Sequence, residues 1–232
     1  MIDTTQLEAQ LRAAKEFNNN LRKQQMANET IELNPNKQYI LCGDISGSMQ
    51  ATDAKCGGQS RYGYMVEKFK SFIKEAEDFD PDGPTIMLFG ESVYQYPNTT
   101  LDKVEAQLTN PKFEGFTNTH LVVQAAWDMH KSEKAELAKD SKTHSGTVCF
   151  VFTDGDPTNR LALERTITDI ANTVDSDDEF SIGFILVGTI EPSLQEYLTK
   201  LDDNLKAKFD IVGTSEIEGL SFLKAVNNAI NE

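Results

Sequence analysis

Tyr39-Ile40-Leu41-Cys42-Gly43-Asp44-Ile45-Ser46-Gly47-Ser48-Met49 is the stretch on which the fold turns. Its opening apolar run reads as a short buried strand over 38–43. Alternate side chains of an extended segment point the same way, so Asp44, Ser46 and Ser48 converge on one side. One carboxylate and two hydroxyls offer oxygen donors only, which suits hard cations such as Mg²⁺ and Ca²⁺ and not soft metals. Gly47 allows the backbone to turn tightly around the cluster. The spacing alone is a moderate signal. At average residue usage Asp-x-Ser-x-Ser arises by chance in roughly one chain of this length in twenty, and a solvated Ser-rich turn after a strand has the same pattern.

Outward from this stretch the pattern alternates strand and helix. A polar loop, 50–60, contains Cys56-Gly57-Gly58 and has no diagnostic pattern. Residues 62–78 carry Met65, Val66, Phe69, Phe72, Ile73 and Ala76 at helical spacing. Strands follow at 85–89 and 92–96, joined by Gly90-Glu91 as a hairpin. A short helix is expected at 100–108. The polar loop Glu114-Gly115-Phe116-Thr117-Asn118-Thr119-His120 then opens a long helix whose apolar face reads as Leu121, Val122, Ala125, Ala126 and Met129, with Trp127 and His130 bordering it. Residues 146–152 form a continuously apolar run, the mark of a central parallel strand covered on both faces, and end in Thr153-Asp154-Gly155-Asp156-Pro157. A helix at 160–173, with Leu161 on its apolar face, a strand at 180–187, a helix at 193–206, a strand at 209–212 and a helix at 216–230 complete the chain. The expectation is an α/β, doubly wound, mostly parallel six-stranded sheet with one antiparallel edge strand and helices on both faces. Before it, 4–26 read as an N-terminal helix with a thin apolar stripe, and Asn34-Pro35-Asn36 as a break. This divides the chain into a docked or partner-binding segment, 1–33, and a main domain, 34–232.

The net charge of −15 disfavours binding to a phosphate backbone and favours cations and basic partners. Residues 1–33 contribute only −1 of it. Cys42, Cys56 and Cys149 are an odd number with no Cys-x-x-Cys pair, so reduced thiols of a cytoplasmic protein are expected, with neither a disulfide framework nor zinc. No apolar run reaches membrane-spanning length. The first residues lack the basic-then-apolar pattern of a secretory signal.

In an open α/β sheet, ligands bind beyond the carboxyl ends of the strands near the switch point. Asp44, Ser46 and Ser48 leave one strand there, Asp154 leaves another, and Thr117 lies in the loop opening the central helix. This combination resembles the von Willebrand factor type A domain, shared by integrin inserted domains and many intracellular bacterial proteins, with its metal-ion-dependent adhesion site. The matched residues are Asp44, Ser46 and Ser48, then Thr117 in Phe-Thr-Asn-Thr, then Asp154 in Phe-Thr-Asp-Gly; the likeness covers about 37–230. Gly115-Phe116 replaces the family's frequent Gly-Gly before the distal Thr, which leaves Thr119 as the alternative to Thr117.

The resemblance implies a bound Mg²⁺ (or Ca²⁺ or Mn²⁺), with the Ser46 and Ser48 hydroxyls as direct ligands. Thr117 joins directly or through water, and Asp44 and Asp154 hold metal-bound waters. A partner protein's Asp or Glu carboxylate then takes an open position, and the C-terminal helix, 216–230, shifts with it. Bacterial members of this kind assist chelatase motors, stress and tellurite-resistance systems, and phage or secretion assemblies; the alternative function is a scaffold in such an assembly with a structural metal. Enzymatic readings find less support. Gly-x-Ser-x-Gly, Gly-x-x-x-x-Gly-Lys and Gly-x-Gly-x-x-Gly are all absent, and a strand-end phosphoryl-transfer Asp would want a second carboxylate where Ser46 stands. Asp156 reads as a turn residue or an extra carboxylate, His120 as a surface or capping residue, and His144 as a loop residue without an evident partner. The expected function is a non-enzymatic, divalent-metal-dependent protein-interaction module.

Overall fold

The computed structural model describes residues 37–77, 80 and 82–230. The expected N-terminal helix and the break before the main domain lie outside these residues. Six strands, β1 (Gln38–Asp44), β2 (Thr85–Phe89), β3 (Val93–Tyr96), β4 (Thr147–Thr153), β5 (Phe180–Leu186) and β6 (Val212–Glu216), form one sheet in the order β3-β2-β1-β4-β5-β6. All neighbours are parallel except β2 and β3, which pair antiparallel as the expected hairpin. The chain first moves from β1 to β2 and β3, then returns to the other side of β1 with β4. The carboxyl ends of β1 and β4 therefore flank the switch point, where the helical layers diverge and leave a crevice.

The helices are α1 (Arg61–Ala76), α2 (Leu101–Leu108), α3 (Thr119–Lys139), α4 (Arg160–Thr173), α5 (Pro192–Asp203) and α6 (Phe222–Ile230). On one face of the sheet, α1 and α6 meet, and Phe69, Phe72 and Phe222 stack edge-on against Phe150 and Phe152 of β4. Each such ring, fully buried, contributes about 2–3 kcal/mol by removing apolar surface from water. On the other face, Val122, Val123 and Ala126 of α3, Leu163 and Ile167 of α4 and Leu194 and Leu198 of α5 cover Ile40, Cys42, Cys149 and Val151. Gly43 marks the closest approach of α1 to β1. A Cβ there would come within 2.8 Å of Met65 Cε and 3.1 Å of Leu88 Cδ2.

Four expectations shift. The last strand is Val212–Glu216, not 209–212, because it pairs along β5 from Ile182↔Val212 to Leu186↔Glu216. Its small residue Gly213 lets α6 approach, since a Cβ would lie 2.2 Å from the Asn228 carbonyl. The last helix accordingly starts at Phe222, after a turn in which Gly219 adopts a left-handed φ of 68°. The core-facing stripe of α3 is Thr119, Val122, Val123, Ala126, Trp127 and His130, and Leu121 faces outward. That stripe is less apolar than the residues 121, 125 and 129 suggested, because it ends over a polar cluster of Thr147 and Glu179 beneath the sheet. Leu161 of α4, 57% exposed, also faces outward.

Candidate metal centre

The five residues singled out in the sequence lie at the carboxyl ends of β1 and β4 and in the loop entering α3. Asp44 ends β1 and is wholly buried. Its Oδ1 accepts the Ser46 backbone N–H at 2.7 Å, and its Oδ2 accepts the Thr153 hydroxyl at 2.7 Å. Burial pushes its pKa up to about 6; the bonds from Thr153 and Ser46 act the other way. Gly47–Gln50 then turns as one 3-10 segment, which brings Ser48 back over Ser46. The two hydroxyl oxygens sit 3.0 Å apart, and the Ser48 hydroxyl donates to Asp154 Oδ1 at 2.8 Å. Ser48 has a single proton and spends it on Asp154, so Ser46 donates to Ser48. The hydroxyl protons run one way along this chain and leave the Ser46 lone pairs free to accept a cation.

Thr117 reaches the same edge through its backbone. Its N–H donates to the Thr158 hydroxyl at 2.9 Å and its carbonyl accepts the Thr158 N–H at 2.9 Å. The preceding Glu114 joins Ser46 in a parallel bridge and donates its N–H to the Ile45 carbonyl at 2.9 Å. The Thr117 hydroxyl makes no hydrogen bond among the described residues. Thr119 is 1% exposed and turns its hydroxyl to the Thr117 carbonyl at 3.5 Å. Glu114 itself is occupied, with its carboxylate accepting the Ser92 N–H at 3.0 Å and the Tyr94 hydroxyl at 2.7 Å. Asp156 forms an ion pair with Arg160 one turn on, as a turn residue would.

Sequence reasoning missed four residues here. Thr153 and Thr158 hold Asp44 and Thr117 in place, as above. Arg61 donates from Nη1 to Asp154 Oδ2 at 2.7 Å, and from Nε and Nη2 to Asp53 Oδ2 at 3.1 and 3.0 Å. Asp53 also accepts the N–H groups of Thr189 and Lys55, and these with Arg61 hold its carboxyl well below the usual range. One sequence signal pointed here: Arg61 is the first residue of a helix capped by Ser60, where the helix dipole disfavours a cation.

The donor set is oxygen only. Among the described residues no group of three or more His, Cys, Asp or Glu side chains is placed to hold a metal, so a cation here would rest largely on neutral hydroxyls. The hydroxyl spacing fits such an ion. Two adjacent ligands at about 2.1 Å in an octahedron lie about 3.0 Å apart, as expected for Mg²⁺, and the two seryl oxygens are 3.0 Å apart. The larger Ca²⁺, with bonds near 2.4 Å, would set octahedral neighbours at about 3.4 Å.

No family model matches the sequence, and no curated protein does. Solved structures do match. The D319A mutant of the PilB minor pilin from Streptococcus sanguinis superposes with a TM-score of 0.50 at 12% identity, over 81% of this chain and 59% of the pilin. The fold is von Willebrand factor type A-like. The manganese-loaded TRAP protein of Plasmodium vivax aligns with a TM-score of 0.49 at 13% identity, over 84% of this chain and 72% of its own. The RO (RSR) protein of Deinococcus radiodurans aligns with 0.47 at 15% identity, over 84% of this chain and 34% of its own. The chain thus spans less than two thirds of the pilin it matches.

Proposed function

We propose that this chain is a non-enzymatic protein-interaction module that holds a divalent cation at Asp44, Ser46, Ser48, Thr117 and Asp154 and uses it to bind a partner's Asp or Glu carboxylate. The observation that carries the reading is the seryl pair: two hydroxyl oxygens 3.0 Å apart, backed by Asp154 on one and Asp44 beneath. The bound ion would supply an electrophilic position open to an anionic ligand. Ser46 and Ser48 would hold it directly, Thr117 is the free hydroxyl on the opposite loop, and Thr119 is spent on the backbone. Asp44 would hold the Ser46 backbone in place, and Asp154 would keep the Ser48 proton turned away from the ion. Few formal charges touch the ion, so it retains appetite for a partner's carboxylate.

Further observations support parts of this reading. Asp154 already has a counter-charge in Arg61, so the buried carboxylate is satisfied without a structural metal, which favours a binding role over a scaffolding one. Among the described residues no histidine hydrogen-bonds a serine of the site: His130 pairs with Thr147 and Glu179, His144 accepts from Gly146, and the buried Nδ1 of His120 has no partner. That supports binding over hydrolysis. The net charge of −15 argues against nucleic acid. The three cysteines are free, with Cys42 and Cys149 Sγ in hydrogen-bonding contact at 3.6 Å and not joined by a disulfide, which fits a reducing, cytoplasmic setting. Among the described residues no helix is long and apolar enough to cross a membrane.

Isothermal titration of Mg²⁺ and Mn²⁺ into the wild type and Ser46→Ala/Ser48→Ala is the test. Heats are expected only from the wild type; equal heats from both would remove the centre.

A further inference from the structure

One guanidinium organises the rim of the candidate centre. The Arg61 side chain is 18% exposed, Asp53's 5% and Asp154's not at all. Arg61 also donates to the Thr189 carbonyl at 3.3 Å, and the Thr189 hydroxyl reaches Asp53 Oδ1 at 3.1 Å. Gly188 carries a left-handed φ of 82°, and a Cβ there would come within 2.8 Å of both Arg61 Nε and Asp53 Oδ2. The loop after β1, the end of β4 and the end of β5 are all shaped to admit this ion pair. A carboxylate as buried as Asp154 requires a counter-charge, and among the described residues Arg61 is the one it has.

We propose that Arg61 is the resident counter-cation of the centre: it neutralises Asp154 in the absence of a divalent ion, and its charge limits how tightly such an ion is held. This rests on the metal-dependent reading above. Asp44, Asp53 and Asp154 against Arg61 leave the cluster at −2 when all are ionised, a charge that one divalent ion cancels. Asp154 presents one oxygen to Ser48, an expected ligand of the ion, and the other to Arg61. The ion and the guanidinium are therefore held on two sides of a single carboxylate, a few ångströms apart, where two cations repel strongly even in a partly solvated setting. Without Arg61 the cluster would stand at −3 and hold the ion more tightly. Without the charge of Asp53 it would stand at −1, with Arg61 committed to Asp154, and hold the ion more weakly. A role limited to bracing the loops predicts no such opposition, since either substitution loosens the same network.

The test titrates Mn²⁺ into wild type, Arg61→Gln, Arg61→Lys and Asp53→Asn by calorimetry and records thermal unfolding of each with chelator and with saturating Mg²⁺. Arg61→Gln is expected to bind Mn²⁺ about tenfold more tightly and to recover with Mg²⁺ most of the melting temperature it loses in chelator. Asp53→Asn is expected to bind about tenfold more weakly. Arg61→Lys, which keeps the charge and loses the fork, should stay within about threefold of wild type. Arg61→Gln and Asp53→Asn moving in the same direction would overturn the proposal, as would a Tm deficit of Arg61→Gln that is equal with and without Mg²⁺. Should Arg61→Gln not fold even with Mg²⁺, Asp53→Asn and Arg61→Lys decide the matter together: Asp53→Asn binding no more weakly than Arg61→Lys overturns the proposal. If wild type binds Mn²⁺ and Ser46→Ala/Ser48→Ala does not, an unchanged Arg61→Gln removes only the role of Arg61. If none of the proteins binds, the metal-dependent reading falls and this inference with it.

Discussion

Glu179→Gln isolates a polar cluster at the amino ends of β4 and β5, far from the candidate centre. Glu179 precedes β5, its side chain is 13% exposed, and it accepts from Lys134, from the Asp175 N–H at 2.8 Å and from His130 Nε2, which lies 3.2 Å away. Burial raises its pKa, but Lys134, Asp175 and His130 outweigh it and bring the group from its ordinary 4.5 down to about 2. A depressed carboxylate adds stability above its unfolded pKa and loses it as pH falls toward the folded one. The window is therefore about pH 4.5 to pH 2. The full shift corresponds to about 3 kcal/mol. Lys134 is half exposed, so solvent screening reduces this to about 1–2 kcal/mol. The substituted amide would keep one acceptor oxygen for three donors. Urea unfolding in chelator should find the variant about 1–2 kcal/mol less stable at pH 7, with the gap closing as pH falls to about 2.5. A gap of constant size over that range would refute the reasoning, because it would make Glu179 a packing element and not a paired charge.

Two further outcomes follow from the geometry. Thr117→Ala should lower Mn²⁺ affinity at the centre, read by calorimetry, while Thr119→Ala should leave it within about twofold and cost less than about 1 kcal/mol of stability, since its bond to the Thr117 carbonyl is long; the reverse order would make Thr119 the ligand. Gly43→Ala should destabilise the domain by about 1–3 kcal/mol in urea unfolding, because the new methyl must displace Met65 and Leu88 from the β1–α1 contact; a neutral result would show that α1 can shift.

Much of the architecture was legible because the helices and strands differ so clearly in period. The run Thr147-Val148-Cys149-Phe150-Val151-Phe152 can be buried on both faces only as a central strand, and it is one. Legibility failed where burial does not follow side-chain polarity. Thr214 and Ser215 are strand residues, but an edge strand half open to solvent leaves no apolar alternation to read. His130 lies in the core, wholly buried, because Thr147 and Glu179 satisfy its two nitrogens from 17 and 49 residues away. The His144 side chain, 4% exposed, lies beside it, with the rings edge-on at 4.6 Å. These pairings are tertiary, and no local window contains them.

The same distinction divides the candidate centre. Asp44, Ser46 and Ser48 could be read because the geometry that joins them is local: a strand end followed by one turn. Asp154 and Thr117 could be placed because the sheet order brings strand ends together at the switch point. Arg61 and Asp53 escaped both rules, since Asp53 lies in a loop without a period, Arg61 only opens α1, and their partners come from the end of β4 and from the segment after β5. Yet the electrostatics of the centre depend on them as much as on its ligands. Asp154 accepts the Ser48 hydroxyl on one oxygen and the Arg61 guanidinium on the other. Arg61 fixes the orientation of that carboxylate, so the hydroxyl chain from Ser46 through Ser48 to Asp154 is already set without an ion. On the proposed reading, preorganisation of the seryl groups and restraint on ion affinity come from one residue, and a search for ligands alone would pass over it.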